Sequence, residues 1–551
     1  MGKYTNRKMN VSLNTIDRVV GFFSPKALSE RIKHRAFIGQ LSNQGFITSD
    51  SHKRSMRGWN PTANSADSDT IPKLNSARAS SRDLYMSNPI ATGALKRINT
   101  NVVGSGLNLQ CRVDREFLGL SDEDADRWER QTEREFRSWA ESVECDASRS
   151  LMFHDLQNLV FFSTILSGDC FALLPSFERG FTNYDLRVKV VEADYVSNPQ
   201  LRFDTNKIAG GIEVDDNGAP IRYYFRKPGI NTFLQAGASI SDKWIPVDAF
   251  GPSGRRNVIH TFTKERPGQR RGMPLLAPVF EELKQLTRLS KAELDASLIN
   301  AFFTVFVKHT TPDVSLADGF LPPTSGAYPD QIADEDTTGN PADEKVYEMG
   351  SGNIVDMDED EEVQIADPKR PNKDFEAFFN AIVRQVGTAI EVPYEVLMQH
   401  FTSSYSASRG ALQELWKYTR SKRTWIERYF CKPVYFEWLV EAILRGRVVA
   451  PGFLDDPLIA QAWAGSHWVG PGQGLLDPLK EAKASRMLIE DTLTTREDEY
   501  NRIHGQGNWD SVVDRKAREN TKLADKGLTG IQEEQSAGAD QIADAIEERG
   551  D

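Results

Sequence analysis

Residues 374–420 read DFEAFFNAIVRQVGTAIEVPYEVLMQHFTSSYSASRGALQELWKYTR, and the reading of this stretch decides the fold. Phe375, Phe379, Ile382, Val386 and Ile390 recur at spacings of three and four, which puts them on one stripe of a helix. That helix should stop near Glu391, because Val392 precedes Pro393 and a residue before proline is biased out of the α region. A hydroxyl-rich loop follows over 399–408, formed by Gln399, His400, Phe401, Thr402, Ser403, Ser404, Tyr405, Ser406 and Ser408, with one His and no acidic residue. Ser408 is expected to cap a long helix with Leu412, Leu415, Trp416 and Tyr418 on its faces. Arg409, Lys417, Arg420, Lys422 and Arg423 surround them. A neutral loop leading into a basic helix suits a surface past which a polyphosphate slides; the bland alternative is a solvated helix face.

Outward from this stretch, residues 44–80 are rich in Ser, Asn, Asp and Gly and read as an extended arm, with regular structure from Ser81. A helix over 89–103, a Gly-Ser-Gly turn and a strand over 107–113 come next. A helix over 122–142 sets Trp128, Phe136 and Trp139 on one side, as core anchors rather than a base-stacking platform. Helix over 151–166 leads to strands over 170–174 and 186–191. Residues 212–214 and 221–225 flank Asp215-Asp216-Asn217-Gly218 and read as a hairpin, since Asn-Gly supplies the positive φ of such turns. After a strand at 258–262 and a basic loop at 264–271, Met273-Pro274 opens a helix to about Asn300, on a stripe of Leu275, Val279, Leu283, Leu286 and Leu289. Residues 309–370 turn to Pro, Gly, Asp and Thr, with short strands at 345–347 and 353–356. Helix then follows helix over 408–444, kinked at Pro433, and a polar helical region starts at Asp477.

At 551 residues the length suggests about three or four domains. With 39% hydrophobic and 26% charged residues the composition is that of a soluble globular protein. The net charge of −12 argues against a static nucleic-acid binder, which grips phosphates with a basic surface. A wall around moving DNA has the opposite need, because strong attraction would hold the duplex in place. Residues 1–60 hold eleven Lys/Arg against three Asp/Glu, a basic arm on an otherwise acidic chain. Cys111, Cys145, Cys170 and Cys431 are far apart with no Cys-x-x-Cys pair, which fits a reducing cytoplasm. Apolar runs of about ten residues or fewer fall short of the roughly 20 that span a bilayer, no signal peptide is read, and no membrane attachment is expected.

The chemistry-bearing motifs are mostly absent. Asp356-Met357-Asp358-Glu359-Asp360-Glu361-Glu362 resembles a calcium loop superficially, but Glu361 stands where that loop needs glycine and Asp367 where it needs glutamate, so a solvated acidic face is the reading. Gly104-x-Gly106 lacks the third glycine of a dinucleotide site, and Gly2-Lys3 is the only Gly-Lys pair, so no phosphate loop is present. No nucleophile elbow or paired His motif occurs. No catalytic residue, metal or cofactor is expected, and the chain is read as no enzyme. The basic loop over 264–271 is either a solvated turn or an ionic contact between subunits.

Val386-Gly387-Thr388-Ala389-Ile390-Glu391-Val392-Pro393-Tyr394 and Ser404-Tyr405-Ser406-Ala407-Ser408-Arg409-Gly410-Ala411-Leu412 closely resemble the lambda-type family of tailed-phage portal proteins. The resemblance runs in order through Ser81-Arg82-Asp83-Leu84, Asn88-Pro89, Val103-Gly104-Ser105-Gly106, Gly168-Asp169 and Val191-Glu192-Ala193-Asp194. It continues in Val258-Ile259-His260-Thr261-Phe262, Arg271-Gly272-Met273-Pro274, Trp468-Val469-Gly470 and Asp477-Pro478-Leu479-Lys480-Glu481, covering roughly residues 70–510. It implies an α+β portal fold with a mixed wing domain, long stem helices, a small α/β clip and a helical crown. On this reading 1–80 is a basic, partly disordered arm, 81–272 the wing, 273–308 the first stem helix and 309–371 the clip. The second stem helix is 372–392, the tunnel loop 393–408, the wing helices 409–476, the crown 477–530 and an acidic flexible tail 531–551. The family implies a homo-oligomer, a dodecameric ring at one capsid vertex of the virion, assembled in the host bacterial cytoplasm. Double-stranded DNA would pass without sequence specificity, and the partners would be the major capsid protein, the terminase large subunit, a head-tail connector or completion protein and a scaffold. The tunnel loop would face DNA, with Arg409, Lys417, Arg420, Lys422 and Arg423 as phosphate contacts. Two other classes stay open: a structural head or connector protein without a DNA channel, and a metal-dependent nuclease.

Overall fold

Among the described residues regular structure is already present at Ala66, ahead of the expected Ser81. The computed structural model describes residues 63–226, 244–301, 305–309, 361–365, 375–401, 404–474, 477–505, 509–526 and 528. Helices α1 (Ala66–Thr70) and α2 (Leu74–Ser87) occupy part of the segment expected to be an arm. Leu74, Ala77, Arg78, Ser81 and Leu84 are buried at helical spacing in α2, so small and polar residues form an inward stripe that composition conceals. Expectations for residues 1–62, for strands at 345–347 and 353–356, and for the tail at 531–551 lie outside the described residues.

Asn88 caps α3 (Pro89–Val102) by accepting the Ala91 N–H at 2.9 Å, and Pro89 sits in the first turn, where its missing N–H loses nothing. Strand β1 (Asn108–Cys111), α4 (Asp122–Ala140) and α5 (Phe153–Ser167) follow close to expectation. Next come β2 (Asp169–Leu173), β3 (Lys189–Val191), β4 (Ile208–Ala209), β5 (Ile212–Val214), β6 (Pro220–Arg226), β7 (Trp244–Asp248) and β8 (Val258–Phe262). They form two antiparallel sheets, β3-β2-β8 and β4-β5-β6-β7. The expected hairpin is β5–β6, pairing Ile212 with Tyr223, and Gly218 takes φ 83° in its turn.

Met273-Pro274 does not open a helix. Met273 is barred from helical geometry by Pro274, the Leu275 N–H bonds the Ile165 carbonyl at 2.9 Å, and helix begins with a tight turn at Ala277–Val279 before α6 (Phe280–Ala301). Beyond α6, β9 (Val305–His309) pairs antiparallel with β10 (Glu361–Ile365), which joins the two ends of the Pro/Gly/Asp-rich insert; neither strand was read from the sequence. Helices α7 (Phe375–Ala389) and α8 (Tyr394–Met398) lead to α9 (Tyr405–Ile426) and α10 (Lys432–Leu444). Between the last two, a π-helical turn at Glu427–Cys431 accommodates Pro433, which falls in the first turn of α10. Helix α11 (Pro457–Trp463), β11 (Ser466–Val469), α12 (Pro478–Glu490), α13 (Arg496–His504) and α14 (Trp509–Asp525) complete the described chain. β11 returns to pair with β1, Asn108 opposite Val469, so the chain folds as an α+β protein closed by a contact of long sequence range.

The length suggested three or four units, yet the chain from Ala66 onward forms one. The helices share one core, since Leu84 of α2, Leu95 of α3, Phe136 of α4, Leu283 of α6, Val386 of α7, Leu415 of α9 and Trp438 of α10 belong to one buried cluster, while Phe171, Ile212, Tyr223 and Phe225 form a second with the strands. Phe136 is the hub of the first, with the rings of Trp139, Phe153, Tyr435, Trp438 and Trp468 at 5.1–5.7 Å, mostly edge to face. The aromatic stripe of α4 is thus core, as read from its spacing.

A second node is polar. Asp169 is fully buried at the start of β2 and receives Arg78 of α2 at 2.6 Å, Arg271 and, at 3.3 Å, the His260 Nε2 of β8. Arg271 also donates to the carbonyls of Ala193, Val196 and Gly210, and Arg78 to that of Ser167. Arg82 reaches Asp194 beside them. The backbone is pinned at the same place: Gly168 has φ 91°, and a Cβ on Gly272 would lie 2.0 Å from the Gly168 carbonyl oxygen. Burial alone would raise the Asp169 carboxyl, but Arg271 and Arg78 outweigh it and hold the group far below the usual carboxylate range. Burial keeps the His260 imidazole below its usual value, against the pull of Asp169.

Asp169→Asn would leave two buried guanidinium groups without their anion, and we expect a loss of about 3–5 kcal/mol in urea unfolding. The pH dependence has a definite sign. Both groups bind protons less readily in the folded chain than in the unfolded one, where they titrate near about 4 and about 6.5, so stability falls as pH is lowered. The His260 share is expected to disappear first, below about 6.5, and His260→Asn should flatten that part of the urea-midpoint profile.

Candidate nucleic-acid interface

The V-G-T-A-I-E-V-P bend is built by a close backbone approach. α7 ends at Ala389, the Val392 N–H returns to the Gly387 carbonyl at 3.0 Å, and a Cβ on Gly387 would lie 2.6 Å from the Val392 carbonyl oxygen. Glu391 turns the chain at φ 58° and Pro393 caps α8. Ile390, Val392, Val396 and Leu397 are buried, so the bend is anchored in the core. Arg97 of α3 donates to the Leu397 carbonyl, and the Arg384 guanidinium lies 5.0 Å from the centre of the Tyr394 ring. Neither arginine was singled out in the sequence, because nothing in its local pattern marks a partner 300 residues away.

The loop is shorter than expected. Gln399 leaves α8 at φ 53°, His400 closes on the Glu395 carbonyl at 3.0 Å, and Ser404 rather than Ser408 caps α9, accepting the Ala407 N–H at 3.4 Å. Two serines four residues apart offered the same cap, and the earlier one adds a turn to the helix. Tyr405, Ser406 and Ser408 therefore belong to α9. Gln399, His400, Phe401 and Ser404 are exposed, Phe401 by 51%, while Thr402 and Ser403 lie outside the described residues.

The five basic residues do not act alike. Arg409, Lys417 and Arg420 are exposed and share one side of α9, at spacings of eight and three. Lys417 pairs with Glu414 at 2.5 Å in open solvent, and Arg420 bonds the Trp416 carbonyl. Arg409 borders a cleft of about 410 Å³ that also includes Trp416, Glu481 and the ion pair Glu499–Arg502. Lys422 lies on the far side over the Tyr418 ring, at 5.3 Å. Arg423 is turned inward: its Nε donates to the Val102 carbonyl at 3.1 Å and its Nη2 to those of Asn101 and Pro471 at 3.0 Å. Burial pulls its guanidinium down to about 10. It ties α9 to the end of α3 and to the segment after β11, a structural use that its basic setting hid.

The basic loop over 264–271 proves to be an internal contact. Arg266 pairs with Asp69 at 2.6 Å and Arg270 with Asp67 at 3.1 Å, both on α1, while Gln269 holds the loop closed by bonding the N–H groups of residues 265 and 266.

Residues 52–423 match the phage portal protein model of the lambda family, and the chain belongs to that family. The matched span includes the Asp169 node, the bend, the loop and α9 as far as Arg423. Among curated relatives, the portal protein of Escherichia phage N15 is 25% identical over 481 residues, covering 84% of this chain and 88% of that one. Portal protein B of Escherichia phage lambda is 24% identical over 469 residues, covering 82% and 86%. A chain in the solved virion of a native gene transfer agent particle aligns at 12% identity and a TM-score of 0.40, covering 79% of this chain and 94% of that one.

Arg423→Ala would strand three internal carbonyls, and urea unfolding should show a loss of about 1–3 kcal/mol. Arg420→Ala, on the exposed side, should stay within about 0.5 kcal/mol.

Proposed function

We propose that copies of this chain close into a ring of twelve at one capsid vertex, through which double-stranded DNA enters during packaging and leaves on ejection. Membership of the lambda portal family across residues 52–423 is the observation that carries this reading. In such a ring the contacts are heterologous, each copy presenting different faces to its two neighbours. α6 and α7 serve as stem helices, the insert ended by β9 and β10 as the clip that meets terminase and later the head-tail connector, and α12–α14 as the crown. The shell contact is with the major capsid protein, and a scaffold takes part during assembly.

Residues 399–404 form the tunnel loop, held at both ends by core-anchored helices. Its exposed side chains Gln399, Phe401 and Ser404 are uncharged and no carboxylate is present, so they meet passing DNA without holding it. Arg409, Lys417 and Arg420 supply sequence-independent phosphate contacts from the open side of α9. Lys422 and Arg423 are left out of this set, the first for its position over Tyr418 and the second because it turns inward to three internal carbonyls. The acidic balance of −12 supports the same reading, since each added phosphate contact increases counterion release and grip. The motor that drives DNA is another protein, as the chain has no phosphate loop.

The double variant Arg409→Ala/Arg420→Ala separates the roles. Rings seen by negative-stain electron microscopy should form as in the parent, while nuclease-protected DNA in assembled heads falls several-fold. Loss of rings would make these arginines structural, and unchanged DNA content would remove them from the tunnel surface.

A further inference from the structure

A groove of about 760 Å³ lies where α5, β2, β3 and β7 meet, and no part of the DNA reading uses it. Leu151, Leu159, Leu173, Phe177, Val190 and Val247 give it apolar walls, and Leu159 and Phe177 remain 39% exposed. The wall is braced: Arg179 donates to the carbonyls of Asp146 and Ala147 at 3.2 and 2.6 Å, and its guanidinium lies 4.7 Å from the centre of the Phe177 ring. Asp146, a carboxylate in the lining, is taken up by its own turn, where it accepts the backbone N–H groups of Ser148, Ser150 and Leu151. The groove therefore offers mainly apolar surface to whatever enters it.

The same chain carries a projection of matching chemistry. In the loop over 198–205, ahead of β4, Leu201 is 68% and Phe203 96% exposed. Gln200 and Leu201 both take positive φ, 56° and 54°, a state that non-glycine residues rarely adopt. The strain is held in place from below. Buried Asn198 donates to the Arg202 carbonyl at 2.9 Å and to the Asp204 carboxylate at 2.8 Å, and accepts the Gly211 N–H at 2.7 Å. Asp204 in turn accepts the Gly210 N–H at 2.8 Å. A strained and braced loop that keeps two large apolar side chains in water is the mark of a contact surface.

We propose that Leu201 and Phe203 of one copy enter the groove of the next copy as the apolar anchor of the subunit contact, an inference that rests on the ring reading and names the faces it joins. Their placement supports it. The loop leads into β4 and Val247 lies on β7, and these are the two edge strands of the sheet β4-β5-β6-β7. A head-to-tail ring requires each copy to give at one side and receive at another, and opposite edges of one sheet provide that. The groove falls within the range of about 300–1,000 Å³ that takes small ligands, enough for two side chains. Aromatic side chains seated in such pockets carry much of the energy of protein contacts. Phe181 is also exposed in solvent, but it follows Phe177 in the segment that borders the groove and so belongs to the receiving side.

Cross-linking between two singly substituted full-length chains tests it. Arg202 and Lys189 are exposed, one in the loop and one lining the groove, so replacing them leaves the apolar contact intact. Arg202→Cys protein is assembled together with Lys189→Cys protein and treated with a short bis-maleimide, while the four native cysteines stay buried. Peptide mapping should recover position 202 of one chain joined to position 189 of another. Adding Phe203→Asp to the first chain should lower that product several-fold, and the yield of rings with it. Rings seen by electron microscopy without the 202–189 link, or a link that Phe203→Asp leaves unchanged, overturn the inference and leave the ring reading standing. A parent chain that forms no rings removes the ring reading itself, and this contact falls with it.

Discussion

A single buried carboxylate holds much of this structure in register. Asp169 is wholly enclosed, and a carboxylate there is stable only because Arg78 and Arg271 surround it, with further donors of Arg271 bonded to three carbonyls and the Arg78 Nε to that of Ser167. Each partner comes from a different part of the chain: α2, β8, the loop before α6 and, through Arg82 and Asp194, the turn after β3. The close contact of Gly168 with Gly272 is part of the same arrangement, since any side chain at either glycine would push Arg271 away from its anion. The motifs Ser81-Arg82-Asp83-Leu84, Gly168-Asp169, Val191-Glu192-Ala193-Asp194, Val258–Phe262 and Arg271-Gly272-Met273-Pro274 are distant in sequence and meet here. Many of the motifs that resemble the family therefore fall on residues that close the fold.

The bend and loop depend on that closure through the shared core. α6 leaves the node at Gly272 and packs with α7, α7 turns at Gly387, and α8 is fixed by Arg97 from α3. α9 is then tied back to α3 by Arg423. The ends of the loop are thus fixed by two core-anchored helices, which suits the proposed contact with moving DNA. Basic residues on one helix have unlike fates: Arg423 is a strut, and Arg420, three positions earlier, is exposed on the open side of α9.

Local signals were legible where the physics is local. Asn88-Pro89 marked the start of α3, Asn217-Gly218 the β5–β6 turn, and spacings of three and four the helix α7, where Val386 of the expected stripe is buried together with Val383 and Gly387. The start of α2 was missed because its inward face, between Leu74 and Leu84, is made of Ala77, Arg78 and Ser81, and burial of that arginine depends on Asp169, 91 residues away. The β1–β11 and β9–β10 pairings join segments far apart, and period-two patterns of four or five residues do not reveal their partners. In the loop the composition was legible and the boundary was not: Ser408 was read as the cap, and Ser404 takes that place. Among the basic residues, charge could be read but direction could not: the inward turn of Arg423 follows from three carbonyls contributed by α3 and the segment after β11.

The central claim is that this fold, repeated, encloses a duplex. Cryo-electron microscopy of the purified protein, classified by rotational symmetry with none imposed, tests it most directly. The account predicts closed rings of about twelve copies around a hole at least roughly 20 Å wide, the scale set by the grooves of B-form DNA, with residues 399–404 at its lining. A closed particle without a channel, or rings with those residues on the outer surface, would contradict it.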